Sequence, residues 1–170
     1  MNINVTKSCC IRIGKRFDAT CANITTLSGV PLTWMREFRY LGTHIVSTLT
    51  FKCSTSACKR SFFKAANAIF GRVGNTASEE VFLHLLTSKC VPVLLYGLEC
   101  FSLRKSEVQS LDFVCRRVLM KLFKTSNVDI INYCIEMFEI ALPSVMLETR
   151  ARRFVKKYSG NRNRLCQLLA

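Results

Sequence analysis

Acidic residues are scarce in this chain of 170 residues. Only 11 Asp and Glu stand against 25 Lys and Arg, which gives a formal net charge of +14. The aspartates are few and far apart in the sequence: Asp18, Asp112 and Asp129. The chain therefore lacks the closely spaced carboxylates that hold a pair of catalytic metal ions. The surplus of positive charge favours a polyanionic partner, with nucleic acid ahead of an acidic membrane face.

Histidine is equally rare, and this limits metal chemistry. His44 and His84 are the only histidines, and Cys53 and Cys58 are separated by four residues, so no paired C-x-x-C knuckle is present. A Cys–His nucleophile is formally possible, but nothing in the sequence places the two residue types together. No apolar segment follows Met1, so we expect the ten cysteines to be reduced, as in the nucleus or cytoplasm.

Long hydrophobic runs are absent as well. The longest, residues 90–98, is interrupted by Pro92 and is too short to span a bilayer, so no membrane partner is expected. The composition is nevertheless 49% hydrophobic and 21% charged, which is typical of a folded chain. Its length suits one domain or two small subdomains.

The first third of the chain has the period of two that is typical of strands. Residues 37–45 alternate on both sides of Gly42 and predict one strand. Gly42 indicates either a close approach of another group to the backbone or a bulge in a hairpin. A short strand is predicted over residues 9–13, and a hairpin joins residues 22–26 to residues 30–34.

After residue 54 the apolar period changes to 3.6, which predicts helices. The first of them ends near Phe70, capping boxes are predicted at residues 76–79 and 106–109, and Pro92 should kink or restart a helix. Two further helices are predicted over residues 127–140 and from Pro143 onward. The sequence therefore predicts an α+β fold, with its only boundary near residues 47–54.

Three motifs carry a resemblance to a known family. The sequence F-x-Y-L-G at residues 38–42, followed by Ile45, resembles the primer grip (motif E) of non-LTR, LINE-type retrotransposon reverse transcriptases. Residues 3–8 resemble the family's I-N-x-x-K-[ST] motif D, and residues 90–99 resemble its P-x-L-x-Y-G-x-E thumb segment. The motifs follow the family's order, and the resemblance covers the chain from about Ile3 to about Tyr158.

The resemblance implies a fold and a parent activity. Residues 1–50 would be a palm remnant with motif D and the primer-grip hairpin, and residues 51–170 a helical thumb with downstream helices. The parent would be an RNA-directed DNA polymerase that uses Mg²⁺, an RNA template and a DNA primer. Its upstream fingers and palm, which carry the catalytic aspartates, are missing here. We therefore expect this chain to hold primer and hybrid, to contain no cofactor and to be inactive alone.

The resemblance also assigns roles to individual residues. Lys7 would assist protonation of the leaving pyrophosphate, although a solvated surface lysine is the preferred interpretation for the isolated chain. The primer grip would consist of Phe38, Tyr40, Leu41 and Gly42. The alternative is that Tyr40 and Leu41 are core residues on opposite faces of a small sheet.

Three basic sets are candidates for contacts to a nucleic-acid backbone, because phosphate contacts dominate affinity without reading sequence. The alternatives are solvated helix faces, a sequence-nonspecific nucleic-acid-binding module independent of any polymerase, or an inert helical interaction domain. Phe62 and Phe63 lie beside the first set, and aromatic residues at helical spacing favour the core over base-stacking platforms. The candidate residues are Lys59, Arg60 and Lys64, then Arg116, Arg117 and Lys121, then Arg152, Arg153, Lys156 and Lys157.

Overall fold

The chain divides into two compact units, Met1–Ser54 and Thr55–Ala170. The computed structural model describes residues 3–73, 76–161 and 163. Small sheets form the first unit and helices form the second, so the predicted α+β class is confirmed.

The first unit contains two small sheets. A parallel pair joins β1 to β2, and β3, β4 and β5 form an antiparallel sheet in which β4 is central. A 3₁₀ turn, Val5–Lys7, precedes β1. The strands are β1 Cys9–Cys10, β2 Thr33–Trp34, β3 Glu37–Tyr40, β4 Thr43–Val46 and β5 Lys52–Cys53.

The prediction of a single strand over residues 37–45 is wrong. The chain reverses at Leu41 and Gly42, whose φ angles are 47° and 88°, and Tyr40 pairs with Thr43. Two consecutive residues with positive φ are typical of the tightest hairpin turns, because their twist matches that of the flanking strands. Gly42 therefore marks a turn and not a bulge.

The other predicted β segments are shorter than expected. The strand over residues 9–13 is reduced to β1, and the hairpin over residues 22–34 closes through one antiparallel bridge between Thr25 and Pro31. The strand β2 pairs instead with β1, in parallel.

The second unit contains six α-helices in the part of it that the structure describes. A π-helical segment, Leu86–Cys90, joins α2 to α3, and Pro92 lies in the first turn of α3. Cys90 and Val91 keep helical backbone angles, so the helix does not restart at Pro92 but continues through it, with the π-helical segment just before the proline. The helices are α1 Ser56–Val73, α2 Glu79–Leu85, α3 Val91–Leu95, α4 Lys105–Leu122, α5 Val128–Met137 and α6 Pro143–Ser159.

The two predicted capping boxes are wrong in position. Ser78 caps α2 through its backbone alone, without a side-chain hydrogen bond. At α4 the cap is Arg104, whose N–H donates to the Glu107 carboxylate at 2.7 Å, and Ser106 lies inside the helix. The glutamate that a capping box requires three residues after the cap is present at α4, but the cap is Arg104.

The core of the second unit surrounds an apolar helical stretch. The segment Glu79–Cys100 is long and apolar enough to cross a membrane by length and composition, and it extends beyond the run that the sequence indicated. Its Leu86, Leu94 and Leu98 are buried, and its parts pack on α1 and α6. Of the most apolar 18-residue window of this stretch, 44% is buried, and the expectation that no apolar stretch is long enough to span a bilayer is wrong by length and composition.

Candidate nucleic-acid interface

Helix α1 carries cations and no acid. Its buried residues, Phe62 and Ala66, are four apart, so they lie on one side of the helix. Arg60, Lys64 and Arg72 lie away from that buried side, because their positions place them elsewhere around the helix axis. Lys59 is three residues before Phe62, so it borders the buried side and is half-buried.

Two hydrogen bonds join α1 to α4. The Nζ of Lys59 donates to Ser110 Oγ at 2.7 Å, and the Nζ of Lys121 donates to Asn67 Oδ1 at 2.9 Å. The order of these partners along both helices shows that α1 and α4 run side by side in the same direction. Both ammonium groups have neutral partners, so each keeps its net charge.

Two phenylalanine rings lie at the surface of the same helix pair. Phe63 follows Lys59 by one turn of α1 and is 36% exposed. Phe113 is 56% exposed on α4, with the Arg117 Cζ 6.0 Å from its ring centroid. We name this surface the α1–α4 face, and it consists of Lys59, Arg60, Phe63, Lys64, Phe113, Arg117 and Lys121.

The α1–α4 face has no neutralising acid among the residues that the structure describes. The carboxylates of α4 have other partners, since Glu107 caps the helix and Asp112 accepts from the Ser144 N–H at 2.8 Å. In residues 3–73, 76–161 and 163, acidic and basic side chains pair only at His44–Glu37 and Arg152–Glu148. The positive charge of the face is therefore uncompensated.

The second predicted basic set does not form one surface. Arg117 lies over the Phe113 ring, whereas Arg116 donates a hydrogen bond to Asn132 Oδ1 on α5. Successive helical residues differ by about 100° around the axis, so neighbouring arginines reach different partners. The sequence showed a basic cluster, but the packing of α5 divides it.

The third predicted basic set lies on another surface. On α4, Ser110 contacts α1, and Asp112 contacts the start of α6. Two residues apart on a helix point in nearly opposite directions, so α1 and α6 lie on opposite sides of α4. Four of the five basic residues of α6 are exposed, and Arg152 pairs with Glu148 at 2.6 Å. The members of this set are Arg152, Arg153, Lys156 and Lys157.

The predicted primer-grip residues lie at the tip of the β3–β4 hairpin. Tyr40 is 55% exposed and Leu41 is 75% exposed, so the alternative that both are core residues is wrong. Phe38 is half-buried, with its ring centroid 6.3 Å from that of Tyr40. Lys7 is exposed at the end of its 3₁₀ turn. The hairpin therefore presents an aromatic and an aliphatic side chain on a tight backbone turn.

Phe113 is the member of the face that sequence reasoning missed, and Phe63 was wrongly expected in the core. Phe62, its neighbour, is fully buried as expected. The available signal was the spacing of Phe113 and Arg117, one turn apart on a helix whose apolar stripe does not include Phe113. Sequence could not show that α1, which carries Phe63, would pack along α4.

The thiols are structural in character. Burial raises the pKa of Cys115 to about 12, so this thiol stays protonated in the core. Burial likewise raises the pKa of Cys90 above its ordinary value. Within the described residues, no group of three or more His, Cys, Asp and Glu side chains could hold a metal ion.

Comparisons of this chain with protein-family profiles, with curated proteins and with solved structures give no match.

Proposed function

We propose that this chain is the part of a retrotransposon reverse transcriptase that holds the primer and the template–primer hybrid, and that it is not catalytic alone. The observation that carries the proposal is the uncompensated charge of the α1–α4 face. A phosphate backbone attracts such a face independently of sequence, and releasing its counterions drives binding.

The geometry of the face supports binding to phosphate. Lys59 and Lys121 are held at the helix interface by hydroxyl and amide oxygens, which orient the ammonium groups without neutralising them. Arg60 and Lys64 extend the charge along α1 and are exposed. A row of separate cations on parallel helices suits the regular spacing of phosphates.

The hairpin supports the primer-holding part of the proposal. Tyr40 and Leu41 are exposed on a turn whose backbone is held by the pairing of β3 with β4. In the proposal they contact the terminal sugar of a DNA primer, and Gly42 allows close approach of its phosphate. In the proposal, the partners are an RNA template, a DNA primer and a palm with its Mg²⁺.

A second candidate function is a sequence-nonspecific nucleic-acid-binding module that works without a polymerase. It is favoured by one observation: the α1–α4 face lies wholly within Thr55–Ala170 and uses no residue of the first unit. The two candidates differ over the hairpin. The first predicts that Tyr40→Ala weakens binding to a hybrid with a recessed primer end, and the second predicts no change.

The proposal is tested by fluorescence anisotropy of a labelled RNA–DNA hybrid with the full chain at two salt concentrations. We expect affinity to fall steeply with salt, and Arg60→Gln/Lys64→Gln to lower the salt slope by about 2. The matched control, Arg152→Gln/Arg153→Gln, removes the same charge from α6 and should have the smaller effect. No binding at physiological salt would refute both candidates.

A further inference from the structure

We infer that the α1–α4 face binds single-stranded nucleic acid, with unpaired bases stacking on Phe113 and Phe63 while the neighbouring cations contact the phosphates. The inference rests on the proposed nucleic-acid binding and adds single strands to the hybrid that this face is proposed to hold. It concerns the aromatic residues, whereas the proposed function depends on charge.

The first support is the position of the rings. Phe113 is on α4 but outside the buried stripe that contains Leu111, Val114 and Cys115, so packing does not account for its place. Phe63 is adjacent to the fully buried Phe62, yet 36% of it remains exposed. The two rings are on neighbouring helices, each of which also carries exposed cations.

The second support is the pairing of rings with cations. Arg117 lies 6.0 Å from the Phe113 centroid, and more than half of Phe113 stays exposed with the guanidinium there. The Lys121 Nζ lies 4.6 Å from the Phe70 centroid. Aromatic rings beside backbone-tracking cations are the combination by which proteins bind single strands without reading sequence.

The third support is the difference between single and double strands. In a duplex the bases already stack on one another, so a phenyl ring on a protein surface meets only the backbone. An unpaired base offers a free π-face to a ring. Duplex binding should therefore use the charges of this face, and single-strand binding should use both the charges and the rings.

The test measures the affinity of the full chain for an oligothymidine strand and for an RNA–DNA hybrid of equal length. Phe113→Leu should lower single-strand affinity about tenfold, which corresponds to the loss of one stacked base, and leave hybrid affinity unchanged. Phe113→Tyr, which keeps a ring, should retain the affinity. Phe63→Leu should give a smaller loss of the same kind.

The control is Tyr133→Leu, which removes an aromatic ring that is 62% exposed on α5, a helix that carries no residue of the face, and should change neither affinity. Equal losses for strand and hybrid in Phe113→Leu, or no loss for either, would overturn the inference. If Phe113→Leu still binds in a salt-dependent way but has the same ratio of single-strand to hybrid affinity as the unaltered chain, the inference fails and the proposed function stands. If the unaltered chain binds neither probe, the proposed function fails with it.

Discussion

Lys121 on α4 donates a hydrogen bond to Asn67 Oδ1 on α1 at 2.9 Å, and its Nζ lies 4.6 Å from the Phe70 ring centroid. One lysine thus contributes both to the packing of two helices and to the charge of the α1–α4 face. Because its partners are an amide and an aromatic ring, the contact stabilises the helix pair while leaving the positive charge available to a ligand.

The Lys121–Asn67 contact should contribute to stability as a coupled pair. Asn67→Ala and Lys121→Met should each lower the free energy of unfolding, and the double variant should lower it by less than the sum. We expect a coupling of about 0.5–1 kcal/mol, the usual range for a hydrogen bond at a partly exposed site. Urea denaturation of the four proteins measures it, and strictly additive losses would contradict the contact.

The β3–β4 hairpin should become more stable when the strained residue in its turn is replaced by one that tolerates positive φ. Leu41→Asn should stabilise the hairpin by about 0.5–1 kcal/mol, because asparagine adopts the left-handed region at lower cost than leucine. Hydrogen exchange of the amides in residues 37–46 measures the change. Leu49→Asn is the control, since Leu49 is also exposed but has no positive φ. Equal protection in both variants would contradict the prediction.

The Cys115 thiol should make the protein less stable in alkali. Burial raises its pKa to about 12, so between its ordinary value of 9.0 and 12 the unfolded chain loses a proton that the folded chain keeps. Stability from this group is complete below pH 9.0 and declines as pH rises, by up to about 1.4 kcal/mol per pH unit.

Chemical denaturation at several pH values above about 9 measures this slope. Cys115→Ala should have the shallower slope, while Cys134→Ala, which removes a half-buried thiol, serves as the control. All other ionisable side chains are the same in the three proteins, so the comparison isolates the contribution of the replaced thiol. Identical slopes for Cys115→Ala and the unaltered chain would show that Cys115 is not protonated in the way the structure indicates.

Glu99 should influence its neighbour Cys100. Its Oε2 is buried without a hydrogen-bond partner, and the pKa of Cys100 is raised first by burial and second by the charge of Glu99. Glu99→Gln removes that charge and should lower the Cys100 pKa. The pH dependence of alkylation at Cys100, followed by mass spectrometry, should shift to lower pH. Glu136→Gln on α5 should leave the profile of Cys100 in place.

The chain should bind nucleic acid without extending it. In a primer-extension assay with Mg²⁺ and an RNA template, we expect no product, because Asp18, Asp112 and Asp129 are far apart in sequence and do not supply a two-metal site. A complete reverse transcriptase in the same buffer provides the positive control. Template-dependent extension by this chain would refute the proposal that it only holds primer and hybrid.

The sequence by itself predicted the α+β class and most of the helices. Pro143 begins a helix as expected, since a residue without an N–H is well tolerated in a first turn, and a π-helical segment marks the helix just before Pro92. The predicted helix over residues 127–140 begins after Asn127, whose side chain accepts from the Asp129 N–H at 2.8 Å. These features depend on residues that are close together in the sequence, so they can be predicted from the local sequence.

Only the tertiary structure decided which cations share a surface and where the β segment reverses. Arg116 and Arg117 are adjacent in sequence, yet one contacts α5 and the other remains on the α1–α4 face. Leu41 gave no signal of its positive φ, because the alternation of residues 37–45 continues across the turn. The helical period fixes the direction in which a side chain points around the axis of its helix. Which helix lies in that direction depends on packing between segments that are distant in sequence.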